Sequence, residues 1–144
     1  MKKFLSIAII VIALGIAVVP VFTDCQSQGR SLTTVDGRSI PMKCHWAGIA
    51  EIGVAVPLAL TGIFSLFKQR KTSFRTLSVI GISSGILAIL FPTVLIGVCG
   101  NPDMVCNMIM RPLLVLGGSL AILAGFVQFL LADDPQIEMA QAAA

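Results

Sequence analysis

Residues 4–22, FLSIAIIVIALGIAVVPVF, form nineteen consecutive positions without a charged side chain. At about 1.5 Å of rise per helical residue, such a run nearly covers the ~30 Å hydrocarbon core of a bilayer. It is longer than the apolar core of a signal peptide, about 7–15 residues, and Val21-Phe22-Thr23 is not a small-x-small cleavage site, so a retained first span is expected. Cys25 lacks the preceding small residues of a lipoprotein signal, and no lipid attachment is expected there.

Outward from this run the same composition recurs. The chain has 144 residues, 56% of them hydrophobic and only 12% charged, against roughly 25% charged in soluble domains. Apolar stretches over residues 4–23, 47–67, 76–98 and 112–132 leave room for outer loops at 24–46 and 99–111 and for no soluble domain. The expected fold is an all-α membrane protein: one domain, a four-transmembrane-helix bundle with a small extracytoplasmic hairpin loop. A net charge of +3, scattered along the chain, offers no clustered basic face, which excludes nucleic acid as a partner.

Lys68, Arg70, Lys71 and Arg75 crowd the turn before the third span. Lys and Arg are retained on the cytoplasmic side, so this turn predicts both termini inside. The first outer loop carries Asp36-Gly37 between β-prone residues, a hairpin signal of type I′, whose two central residues need positive φ. Pro57 falls mid-helix, where its missing N–H predicts a kink. Asp133 onward is expected to fray. Gly81-x-x-x-Gly85 in span three and Gly117, Ala121 and Gly125 in span four set small side chains on one helix face each, predicting that these faces meet; dimerisation between chains is the competing use. Ser119 and Gln128 are candidates for interhelical hydrogen bonds.

All four cysteines, Cys25, Cys44, Cys99 and Cys106, fall in the two outer loops. An even number of thiols on an oxidising face predicts disulfides. The simplest pairing is Cys25 with Cys44 and Cys99 with Cys106; cross-loop bridges such as Cys44 to Cys99 remain open. A competing reading is a soft-metal site drawing on Met42, Cys44, His45, Met104 and Cys106, with Met108 and Met110 nearby. Thioether, thiolate and imidazole select copper or zinc over hard cations. No cofactor is needed on the disulfide reading. Thiol–disulfide exchange is a third reading, although the spacings C-x18-C and C-x6-C lack the tight C-x-x-C pair. Glu51 lies inside the bilayer, where a carboxylate is costly and needs a partner; Arg111, at the outer end of span four, is the expected one. Cys44, Gly48 and Glu51 share a helix face by their spacing. Trp46 suits an aromatic-belt anchor.

Met42-Lys43-Cys44-His45-Trp46 with Glu51 five residues on, and Cys99-x-x-Pro102-x-Met104-x-Cys106, resemble a family of short four-span bacterial and archaeal membrane proteins known as domain of unknown function 4418. The resemblance covers nearly the whole chain and implies no activity or ligand. Ile49, where a polar residue would be expected, argues against a hydrophilic path along that face. With no nucleotide loop and few intramembrane polar groups, the leading expectation is a non-catalytic accessory or assembly subunit with a disulfide-stabilised outer face, partnered by lipid and by another membrane protein or a second copy. The alternative is soft-metal binding or thiol redox chemistry.

Overall fold

The computed structural model describes residues 2–67 and 71–132. Helix α1 spans Lys2–Thr23, and a two-stranded hairpin, β1 Leu32–Thr33 with β2 Ser39–Ile40, leads to α2 at Lys43–Phe67. Helix α3 spans Lys71–Leu90 and runs on through a π-helical turn, Phe91–Leu95; a second π-helical turn, Cys106–Met110, opens into α4 at Arg111–Leu131. Candidate spans are Lys3–Thr23, Lys43–Phe67, Ser73–Leu95 and Cys106–Leu131, each long and apolar enough to cross a bilayer. The chain is a multi-pass membrane protein. Residues 68–70, most of the basic turn, and the acidic tail from Asp133 lie outside the described residues.

The helices close a ring in chain order: α1 packs on α2 and α4, and α3 packs on α2 and α4, with the α1–α2 and α3–α4 pairs the most intimate. Large apolar side chains such as Phe4, Phe22, Val94, Leu123 and Phe126 face outward, while the interior holds Ala13, Ala47, Ala55, Ala88, Ala121, Thr61, Ser65, Ser78 and Gln128. This distribution suits lipid, where small residues let backbones approach because no hydrophobic force drives helices together.

The α3 and α4 small-residue faces meet, at positions offset from expectation. A Cβ on Gly85 would stand 2.8 Å from the Gly118 carbonyl oxygen, and one on Gly118 would stand 2.7 Å from that of Gly85. Gly125 closes on Ile82, whereas Gly117 turns to Ile16 of α1 and Gly81 to Thr61 of α2. A second seam, Gly48, Ala55 and Gly62 at seven-residue spacing on α2, faces α1: Gly48 lies under Pro20, and Gly62 lies against Ser6 and Ile10. Gln128 donates through Nε2 to Ser65 Oγ, tying α4 to α2 across the ring. Ser119 bonds Val115 of its own helix instead. At the end away from the cysteines the Arg75 guanidinium lies over the Phe129 ring, 5.9 Å from its centroid.

The hairpin forms, with a different turn. Leu32 pairs with Ile40 and Thr33 with Ser39, Gly37 N–H bonds Thr34 O at 2.8 Å, and Thr34 N–H bonds Arg38 O at 2.9 Å. Gly37 has φ +75°, and no non-glycine residue among those described, Asp36 included, has positive φ. The turn is therefore a type I turn over Thr34–Gly37 followed by a left-handed glycine bulge, which spares Asp36 the strain that type I′ would impose. Helix α2 accommodates Pro57 within one continuous element. Pro92 lies within the first π-helical turn and Pro112 just after the second, where a missing N–H loosens the ladder.

Candidate functional site

Helix α2 starts at Lys43, four residues before the apolar run at Ala47, so Cys44, His45 and Trp46 occupy its first turn. Cys25 follows the end of α1 in a tight loop where Asp24 N–H bonds Pro20 O at 3.0 Å and Arg30 N–H bonds Cys25 O at 2.9 Å. Cys99 lies just beyond Gly97, whose φ of +74° turns the chain out of α3. Cys106 opens the helical turn that leads into α4.

These segments bring all four sulfurs within 4.8 Å of one another. Cys25 and Cys44 are in bonding contact, with Cα atoms 6.3 Å apart, inside the range a disulfide spans. Cys106 Sγ stands 2.8 Å from Cys25 Sγ, and Cys99 Sγ stands 3.4 Å from Cys25 and 3.3 Å from Cys44. Cys25, Cys44 and Cys106 are buried, while Cys99 is half-buried. The two loops thus share one cluster, in which Cys99 and Cys106 are free thiols.

Beside the cluster, His45 Nδ1 and Asp24 Oδ2 are 2.8 Å apart. Asp24 Oδ1 also accepts from Ser27 N–H at 2.6 Å, and the Ser27 hydroxyl donates to Asp24 O. Burial pushes the Asp24 carboxyl up, but the His45 hydrogen bond and those from Ser27 outweigh it and hold the group below the usual carboxylate range. The His45 ring meets the Trp46 indole edge-on, centroids 6.0 Å apart. With Nδ1 directed at Asp24, Nε2 is the ring nitrogen left for other partners. Asp24 and His45 form the polar side of an open cleft of about 320 Å³, whose apolar side is Pro20, Gly48, Ile49 and Ile52.

The ligand set expected from sequence does not assemble as drawn. Met42 Sδ comes within 3.9 Å of Cys99 Sγ, and Met104 packs near Cys25 and Arg30. Met108 is exposed and Met110 is fully buried in the core. His45 engages Asp24, and the positions expected for Met and His are taken by Cys25 and Cys99. Glu51 is 0% exposed, and neither carboxylate oxygen has a partner among the described residues. The expected Glu51–Arg111 ion pair is absent because Arg111 sits on the exposed face of its helix. Trp46 is exposed at the same end of the bundle as the thiols, where an interfacial anchor would sit.

A family model described as a domain of unknown function, DUF4418, matches residues 4–131. The chain belongs to the DUF4418 family. No curated protein and no solved structure matches it. The matched region takes in all four helices of this DUF4418 protein and all four cysteines. Asp24 is the residue that sequence reasoning missed. A signal was present: Asp24 precedes Cys25 and His45 follows Cys44, so joining the two cysteines brings their polar neighbours together.

Proposed function

We propose that this chain is a membrane-anchored thiol protein whose cluster of Cys25, Cys44, Cys99 and Cys106 exchanges disulfide bonds at the extracytoplasmic face of a prokaryotic plasma membrane. Both termini are cytoplasmic in this reading, which the basic residues between α2 and α3 support. The observation that carries the proposal is that the two free thiols, Cys106 and Cys99, stand 2.8 and 3.3 Å from two different sulfurs of the Cys25–Cys44 pair. Exchange proceeds by attack of a thiolate on one sulfur of a disulfide, with release of the other. Attack of Cys99 on Cys44 forms the Cys44–Cys99 bond and releases Cys25 as a thiolate, which takes up the proton that Cys99 lost. Net oxidation of the remaining dithiol requires a partner protein's disulfide, which leaves as the partner's dithiol.

Non-reducing mass spectrometry of alkylated protein tests this. The Cys99→Ser and Cys106→Ser variants should each retain the Cys25–Cys44 bridge, whereas Cys25→Ser should move the bond to Cys44–Cys99. Two fixed bridges that no variant redirects would overturn exchange and leave a structural clamp.

An accessory place in a larger membrane complex is the second reading. It is favoured by a lipid-facing groove of about 180 Å³ between α1 and α4, walled by Ile12, Ile16, Leu113 and Leu120 with Gly15 and Gly117 among its lining. Purification from native membranes in mild detergent should then retain a stable partner; a monodisperse, partner-free monomer would overturn this reading.

A further inference from the structure

We infer that the four thiols, once reduced, form a binding site for a single zinc ion. The inference rests on the exchange reading in one respect, that the Cys25–Cys44 pair can open. Opening takes two electrons and two protons from an external dithiol, which leaves as its disulfide. Zinc then displaces four protons from Cys25, Cys44, Cys99 and Cys106 to give a tetrathiolate complex of charge −2.

Geometry is the first argument. Zinc in structural sites is tetrahedral with Zn–S bonds of about 2.3 Å, which sets sulfur–sulfur edges at about 3.8 Å. The separations of 2.8, 3.3 and 3.4 Å, with every sulfur within 4.8 Å of every other, lie within about an ångström of that edge, and the Cys25–Cys44 contact, the shortest of the set, must lengthen to it once the pair is reduced. Ligand chemistry is the second. Four thiolates with no oxygen donor select zinc among the common divalent ions, and three of the four are buried, so water does not compete for the closed shell.

Electrostatics is the third. Cys44 lies in the first turn of the 25-residue helix α2, and Cys106 begins the helical segment that continues to Leu131. The partial positive charge of the α2 N-terminus therefore lies beside Cys44 and favours a thiolate there. Arg30 shares a small cleft with Cys25 and adds a full positive charge. His45 is held by Asp24 and stands outside the donor set. The Met42 thioether, 3.9 Å from Cys99 Sγ, is the feature that would favour copper(I) instead.

The test uses the full chain in detergent, reduced and freed of metal under anaerobic conditions, then titrated with cobalt(II) and zinc(II). One cobalt per chain should bind, with the intense visible bands of tetrahedral thiolate coordination, and zinc should displace it. Each Cys→Ser variant should lower zinc affinity by at least about a hundredfold, since even outer-shell changes cost about 10–100-fold. His45→Ala and Met42→Leu should leave it nearly unchanged. A measurement that needs no variant is alkylation of the wild-type protein, in which zinc should protect all four thiols together. Absence of stoichiometric binding, protection of only two thiols, or copper(I) binding that depends on Met42 where zinc does not bind would each overturn the inference. The exchange reading is separated by working with chelator present. Bridge exchange without zinc binding overturns the metal site alone, and zinc binding by thiols that never re-form the Cys25–Cys44 bridge overturns exchange alone.

Discussion

Replacing Gly118 with alanine should lower stability by about 2–3 kcal/mol, at the upper end of ordinary overpacking costs, and valine at the same position should abolish the folded bundle. The new Cβ would lie 2.7 Å from the Gly85 carbonyl oxygen and 2.7 Å from Ile89 Cγ1. The isoleucine can rotate, but the carbonyl cannot, because it belongs to the α3 backbone. Relief requires α3 and α4 to move apart along their whole contact, which also carries Gly125 against Ile82. Gly85→Ala should cost a similar amount, since its Cβ would meet the Gly118 carbonyl at 2.8 Å. Together the two changes should cost less than their sum, because one separation of the helices relieves both. Gly15→Ala, with nothing within 4 Å of its Cβ position, is the control and should be neutral or slightly stabilising. Unfolding in mixed micelles measures all five variants. A Gly118→Ala midpoint equal to that of Gly15→Ala would show that the helices do not approach as described.

Glu51→Leu should raise stability, by about 1–3 kcal/mol, the usual cost of a buried polar group left unsatisfied. Leucine matches glutamate closely in size, and the site is fully buried with no partner for either oxygen among the described residues, so the exchange removes an unpaired polar group and leaves little void. Glu51→Gln keeps a polar amide in the same surroundings and should gain much less. The order Leu above Gln and Gln near wild type, read as unfolding midpoints in the same micelles, is the expected result. Loss of stability in Glu51→Leu would show that the carboxyl holds a partner that the chain itself does not provide. A residue that lowers stability at its own position is the kind retained where function outweighs stability.

Hydropathy reads the four helices well because lipid imposes a simple condition: every long apolar run must become a helix that satisfies its own backbone. Details that depend on helix phase were less legible. One residue on a helix is a rotation of about 100°, so reading Gly117 in place of Gly118 aims at the wrong neighbour, and Arg111 lies on the exposed face of its helix. The Asp36-Gly37 dipeptide marked the hairpin, yet its turn type depended on strand register, which two-residue strands barely constrain.

Sequence by itself determined that the chain spans a membrane four times, that its cysteines gather at one end, and that Cys44 and Glu51 share a face of α2. Those features follow from composition and from the 3.6-residue period, both local properties. Only the tertiary structure decided that the two cysteine loops form one cluster, that Asp24 meets His45, and that Glu51 has no hydrogen-bond partner among the described residues. Each depends on which helix lies beside which and at what rotation. Close contacts between glycines and opposing backbones set that arrangement, and residues far apart in the chain meet only after the ring has closed.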